Sequence, residues 1–422
     1  MLLCAIDDIQ PGMAVAAAVM HPERTETELV KPGFLLDARL IKRLKDFGVD
    51  RIWIDHDATA DLDKQINIGK SPGHQAMVEA LKSSIQDAAK KTISCGDVMN
   101  YRQAVMDMVC ELMGCPALAT LAERMNRGED GAMLRHGANV AYLSILIGLQ
   151  METYIIQQRP KLSAENAKDL TALGIGAMLH DVGKIAEVNK TAQDMNALIE
   201  HRLMEDGNWE ATAQDGTPWM SALDAYHNHT LVGYRLLEKA NAPASARQIV
   251  LNHHQRFDGK GYPEMQHATN GRQEGTQEGE EIHIFSRIVG AADLLDHLLH
   301  EANEQGKPII AALSAFRDET FSSWMDPVIR DAVLRTVPPF AVGSHVRLSD
   351  GRSAVVIAPN EKQPCRPILR ALESDGGHAD EPIALSEHPD LSITHLVGEP
   401  VDQYLFSLIE RAPLAKCRLR AG

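Results

Sequence analysis

No apolar run in this chain of 422 residues approaches the roughly 20 residues that a helix needs to cross a bilayer. The opening MLLCAIDDIQPGM meets acidic side chains too early for a signal peptide. A cytoplasmic protein without a membrane partner is expected. Cysteine lacks pattern: Cys4, Cys95, Cys110, Cys115, Cys365 and Cys417 form no CxxC pair, which argues against a zinc knuckle or a disulfide framework. Positive charge is short as well, with 42 Lys and Arg against 58 Asp and Glu, a formal net charge of −16. Wrapping DNA or RNA requires many phosphates to be neutralised by Lys and Arg, so a nucleic-acid polymer is not the expected partner. The one cationic cluster, Arg411, Lys416, Arg418 and Arg420, reads as a solvated tail. Aromatic residues make up only 5%, but a hydrophobic content of 44% is that of an ordinary globular protein, and the length predicts two or three structural units.

The fold class read from the pattern is mainly α: an all-α helical bundle with a small α+β N-terminal module and a small β-rich C-terminal extension. Residues 1–57 carry turn signals at Pro11-Gly12 and Pro32-Gly33, a helical run from Asp37 to Phe47 stopped by Gly48, and a strand-like RIWID at 51–55. Residues 58–115 read as linker and helices. From His74 onward apolar residues recur at i, i+3 and i+4, and the main helical domain is placed at 116–337, with long helices expected over 133–158 and 167–188. Pro338-Pro339 closes it. Two stretches around the turn Ser349-Asp350-Gly351 predict a hairpin in a small barrel-like cap over 338–398, followed by a short terminal helix and tail over 399–422. The polar stretches 205–219 and 266–281 read as exposed loops or lids.

Within the helical part, ionisable residues recur in a distinctive order: His136, the pair His180-Asp181, His229, the pair His253-His254, and Asp293. Neutral imidazoles and carboxylates together suit a divalent transition metal, and a carboxylate can bridge two ions where an imidazole cannot. Helices of a bundle can aim such side chains into one interior. Asp293 lies in the apolar VGAADLLDHLL, where a buried unpaired carboxylate would cost on the order of several kcal/mol and so calls for a cation nearby. Adjacent residues on a helix diverge by about 100°, so neighbouring His and Asp have no ordinary packing role.

The segments HDVGK at 180–184, HHQRFDGKGYP at 253–263 and SRIVGAADLLD at 286–296 resemble the HD-GYP family of the HD phosphohydrolase superfamily, over residues 116–335 and more loosely in the flanks. The resemblance implies a binuclear centre in which His136, His180, Asp181 and Asp293 hold one metal and Asp181, His229, His253 and His254 the other, with Asp181 as the bridge. It implies iron or manganese, with zinc also compatible with the ligand types, and hydrolysis of cyclic di-GMP to pGpG, and on to GMP in some members, by a metal-bridged hydroxide. Catalytic roles fall to Asp181 and Lys184. Substrate contacts are expected from Lys184, Arg256, Asp258, Lys260, Gly261, Tyr262, Pro263 and Arg287.

The sequence departs from the family in several places. Ala132 stands where some members carry a glutamate for a third metal, with Glu129 and Asp130 out of register, so two metals are expected. Gln255 replaces the usual glutamate after the paired histidines. No Lys or Arg lies between Arg287 and Lys307, where the family places its phosphate grip; Lys260, Arg256 and Arg287 are the candidates to compensate. The interval from His180 to His229 is long, consistent with the insert at 205–219. Two other readings stay open: a catalytically weak signalling adaptor acting on a diguanylate cyclase or response regulator, and a phosphohydrolase of another nucleotide.

Overall fold

The structure is a computed structural model that describes residues 1–22, 24, 27–62, 72–89, 93–114, 132–187, 219–263, 276–372, 377 and 381–408. Residues 205–218 of the loop expected at 205–219, most of that at 266–281, Glu129, Asp130 and the cationic tail lie outside the described residues, and Trp219 itself begins a helix.

The N-terminal module pairs β1 (Leu2–Ala5) antiparallel with β4 (Arg51–Ile54), and β2 (Val19–Met20) with β3 (Glu28–Val30). Its helix α1 (Ala38–Asp46) starts at Asp37, whose side chain accepts from the Leu40 amide at 2.7 Å, and stops before Gly48 at a φ of 79°. Leu36, Ile41, Leu44, Ile52 and Ile54 fill the module's core, which also takes in Val355 from the far end of the chain.

The helical body comprises α2 (Pro72–Ala89), α3 (Cys95–Gly114), α4 (Ala132–Gln150), α5 (Glu152–Gln158), α6 (Ala164–Ala167), α7 (Thr171–Met178), α8 (Val182–Glu187), α9 (Trp219–Lys239), α10 (Ala244–Asn252), α11 (Ile284–Glu304), α12 (Ile309–Phe316), α13 (Glu319–Ser322) and α14 (Pro327–Thr336). One apolar core runs through it, and Met77, Leu81, Tyr101, Val105 and Met108 of α2 and α3 are buried in that core beside Tyr142, Ile145 and Leu173. The segment set apart at 58–115 therefore supplies two helices of the bundle.

Both long helices expected from periodicity are broken. The chain bends by 88° between α4 and α5, and it leaves the helix again at Leu179–Asp181, between α7 and α8. Residues on both sides of each break stay apolar and buried, so the pattern ran on across them. His180 and Asp181 thus sit in a turn and not on a helix, which frees them from the helical 100° divergence.

The C-terminal extension is a six-stranded antiparallel sheet in the order β10-β9-β5-β6-β7-β8, where β5 is His345–Leu348, β6 Ser353–Ala358, β7 Ile368–Ala371, β8 Ile383–Ala384, β9 Ile393–Leu396 and β10 Glu399–Pro400. The hairpin around Gly351 forms as expected, with Val346 opposite Ala354. Among the described residues the sheet is open, not a closed barrel. A strand pair and a 3-10 turn at Asp402–Tyr404 occupy the place of the expected terminal helix, and residues 409–422 lie outside the described part. The sheet joins β1: the Leu3 amide donates to the Gly343 carbonyl at 2.8 Å, and Arg370 binds both carboxylate oxygens of Asp61 at 2.8 and 2.9 Å. Among the described residues no single helix is long and apolar enough to cross a membrane.

Two glycines set how closely the site-bearing elements approach. A Cβ on Gly183 would fall 1.9 Å from the His229 carbonyl oxygen, and one on Gly290 would fall 2.5 Å from that of His253. Only a bare Cα lets α8 lie against α9, and α11 against the end of α10, at these distances. Gly183→Ala is expected to destabilise the protein by at least about 1–3 kcal/mol, read as a lower urea midpoint at unchanged slope. At the start of α11, His283 caps the helix by accepting from the Phe285 amide at 3.2 Å, which requires an unprotonated Nδ1. Burial, with Arg159 and Arg287 nearby, pushes His283 down to about 4. The unfolded chain, titrating near 6.5, takes up that proton first, so the cap's contribution is complete above pH ~6.5 and is lost as pH falls towards 4. Unfolding measured across this window should show a fall of up to about 3 kcal/mol that His283→Asn removes.

Candidate metal centre

Five elements deliver the seven ligand positions to one place. His136 comes from α4, His180 and Asp181 from the turn between α7 and α8, His229 from α9, His253 and His254 from the end of α10, and Asp293 from α11. His180 is fully buried, His229 and His253 are at most 2% exposed, and Asp181 and Asp293 are 8% and 6% exposed.

The imidazoles are held in one tautomer from behind. Nδ1 of His180 donates to the Ala177 carbonyl at 2.8 Å, and Nδ1 of His253 donates to the Val250 carbonyl at 3.1 Å. Nδ1 of His136 donates to Asp296 at 2.8 Å, and Asp296 accepts in turn from Asn139 Nδ2 at 3.0 Å. A carbonyl only accepts, so each of these Nδ1 atoms carries the proton and Nε2 offers a lone pair forward. That is the arrangement in which ligating histidines are oriented by a carboxylate or a backbone carbonyl.

The forward atoms form two cages that share Asp181. Nε2 of His136 lies 3.1 Å from Nε2 of His180 and 3.1 Å from Asp293 Oδ1; His180 Nε2 lies 3.6 Å from Asp293 Oδ1 and 3.6 Å from Asp181 Oδ2. On the other side, Asp181 Oδ1 lies 3.2 Å from His229 Nε2 and 3.7 Å from His253 Nε2, and those two nitrogens are 3.5 Å apart, with His254 converging on the same group. Donors bound to one ion at about 2.0–2.2 Å stand about 2.8–3.6 Å apart at right or tetrahedral angles. Lone pairs facing each other at 3.1 Å repel unless a proton or a metal ion lies between them. Asp181 Oδ1 and Asp293 Oδ1 are buried and accept no hydrogen bond of proper geometry, although imidazole nitrogens surround both. The donor set therefore fits two divalent ions, with one oxygen of Asp181 turned to each.

Electrostatics support this. Burial drives His253 down to about 4 and His254 well below the usual imidazole range, His253 and His229 adding to the effect on His254, so both rings stay neutral and available as ligands. Burial opposes ionisation of Asp181 and Asp293, yet Lys184 and His180 hold the first, and the imidazoles of His136, His180 and His297 that face it hold the second, well below the usual carboxylate range. Burial also opposes protonation of His136, but Asp293 and Asp296 together raise it well above the usual value. Carboxylates that hold a proton on this ring would equally hold a metal ion in its place, so metal binding here releases a proton.

The expected substrate contacts divide. Lys184 is at the centre, buried, with its ammonium 2.7 Å from Asp181 Oδ2. Tyr262 stacks on His254 and on His227, with ring centroids 4.5 and 4.0 Å away, and its amide donates to the His254 carbonyl at 3.2 Å. Gly261 lets this happen, since a Cβ there would meet the same carbonyl at 2.3 Å, and the Pro263 carbonyl accepts from Gln255 Nε2 at 2.7 Å. The loop thus buttresses a ligand histidine. Arg256 is held by Asp258 through two bonds of 3.0 and 2.5 Å and lies over Trp324. Arg287 is buried, paired with Asp326 at 2.5 Å and bonded to Gln158. Neither arginine is turned to the site as expected of a phosphate grip, and Lys260 is exposed without an ion pair among the described residues.

The structure adds residues that the sequence reading passed over: Asp296 behind His136, His297 beside Asp293, and His227 against Tyr262. The first two lie three and four positions after Asp293, the spacing that puts side chains on one helical face. Asp296→Ala should loosen one of two bound metals by about 10–100-fold and leave the other's retention unchanged, measured by chelator competition.

Residues 209–329 match the HD domain family model, a span that includes His229, His253, His254 and Asp293 and leaves His136, His180, Asp181 and Lys184 outside. The chain is 24% identical over 372 residues to a cyclic di-GMP phosphodiesterase of Pseudomonas aeruginosa, covering 81% of this chain and 78% of that protein. It is 29% identical over 132 residues to a cyclic di-GMP phosphodiesterase of Thermotoga maritima, 31% of this chain and 27% of the relative. It is also 28% identical over 170 residues to a cyclic di-GMP phosphodiesterase response regulator of Xanthomonas campestris pv. campestris, 40% and 37% of the two chains.

Proposed function

We infer that this chain belongs with the HD-GYP-like phosphodiesterases and is a metal-dependent hydrolase, and we propose cyclic di-GMP, opened to linear pGpG, as its substrate. The observation that carries the metal chemistry is the pair of facing imidazole nitrogens 3.1 Å apart beside a carboxylate whose two oxygens face different histidine groups. The names of the relatives support the substrate. Iron or manganese suits the mixed imidazole and carboxylate donors. Two such ions would supply Lewis-acid charge to a phosphoryl oxygen and make a nearby water more acidic.

The chain's own residues do the rest. Asp181 fixes the spacing of the two donor groups, and Lys184 places a buried ammonium against it, where it would add positive charge beside a phosphate bound at the centre. Among the described residues His136 and His254 are the partly exposed histidines of the set, while His180, His229 and His253 are buried behind them, which favours approach of a substrate from the side of His136 and His254. Arg256 and Arg287 are engaged with Asp258 and Asp326, which leaves Lys184 as the buried cation beside the donor groups among the described residues. The same sequestration favours a second reading, a metal-holding adaptor that acts through protein contacts.

Anaerobic purification, metal counting and a cyclic di-GMP assay beside Asp181→Ala separate the two. About two metals per chain with pGpG formation that Asp181→Ala reduces to background supports the enzyme. Two metals without turnover of any cyclic dinucleotide would leave the adaptor.

A further inference from the structure

His297 lies one turn beyond Asp293 on α11. Its Nε2 is 3.4 Å from Asp293 Oδ1, and its ring lies against that of His136, with centroids 4.7 Å apart. His136, Asp293 and His297 thus converge as a donor group in their own right, on the side of the site where a quarter of the His297 side chain reaches solvent. A third ion and a further ligand for the first ion are the two arrangements this group permits, and His136 decides between them. Its Nδ1 proton is committed to Asp296 at 2.8 Å, which leaves Nε2 with a single lone pair, and an imidazole lone pair cannot be divided between two cations. That Nε2 already faces His180 and Asp293 at 3.1 Å each. Any ion held jointly by His136, Asp293 and His297 is therefore the ion that His180 also faces.

We propose that His297 is a fifth protein ligand of the first metal, alongside His136, His180, Asp181 and Asp293. The inference rests on the two-metal reading above and deepens it. The first ion then has three nitrogen and two oxygen donors, which fills an octahedron to all but one position, whereas the second has the four donors of Asp181, His229, His253 and His254. The two sites differ in character: the first disfavours zinc, which prefers four ligands, and suits iron(II), manganese(II) or cobalt(II). It would also leave one position at that ion for a substrate or solvent oxygen.

Cobalt(II) loaded anaerobically into the full chain reads both number and geometry, by elemental analysis and visible absorption. The wild type should hold two cobalt ions. His297→Ala should release one of them to a chelator about tenfold faster or more, with a change in the absorption that reports coordination number, and His253→Ala should loosen the other ion instead. His297→Gln, which keeps the volume and a hydrogen bond to Asp293 but offers no imidazole, should behave like the alanine variant and carries the test if that variant melts early. Two ions retained in both His297 variants, with unchanged release and spectrum, would overturn the fifth ligand and leave the two-metal site standing. Fewer than two ions in the wild type would bring down the two-metal reading and this inference together.

Discussion

The Asp181 carboxylate is 8% exposed, and it is surrounded by the Nε2 atoms of His136, His180, His229 and His253 at 3.2–3.8 Å and by the Lys184 ammonium at 2.7 Å. A buried charge is tolerated only when it is paired and bonded on every side, and this one is paired with elements from four different parts of the chain. The helix break at Leu179–Asp181, the bare Cα of Gly183 against His229 and that of Gly290 against His253 all follow from the need to bring those partners to one carboxylate. Lys184, one turn on, supplies positive charge that does not depend on metal, so the turn has a partner in every state of loading.

Much of this was legible in the sequence because ligand identity is local. A His-Asp pair after LGIGAML and a His-His pair before a glycine loop stand out in an otherwise apolar pattern, and both pairs reach the same site. What stayed hidden was pairing over distance. Arg287 reads as a spare cation near the motif, but Asp326, which takes its charge, is 39 positions away on the N-cap of α14. Arg256 has its partner two residues on: Asp258, expected beside it as a substrate contact, takes its charge instead. Asp296 and His297 stand in the same segment, but sequence alone gives them no partner. The core boundary was misplaced for a similar reason: α2 and α3 bury one stripe each, and periodicity says that a stripe is covered without saying by what.

The layer behind the ligands is as ordered as the ligands themselves. His136 is backed by Asp296, Asp296 by Asn139, and Asn139 Oδ1 lies 3.2 Å from His74 Nε2 on α2. The His136 ring is thus tied through side chains to α2, whereas His180 and His253 are tied to their own backbones. Two ways of holding an imidazole give two stiffnesses: a carbonyl one helical turn away moves only with its helix, but a chain of side chains transmits displacements of α2.

The meeting of the chain's two ends has a consequence for modularity. Leu3 bonds to Gly343, Val355 completes the core of the N-terminal module, and Arg370 binds Asp61, while Val346, Leu348 and Val356 of the same sheet belong to the helical core. The first strand and the last sheet are halves of a single clasp around the bundle. A leading module built this way cannot be exchanged like a bead on a string, because replacing it strips one face of the trailing sheet; the two flanks must drift through evolution as a matched pair.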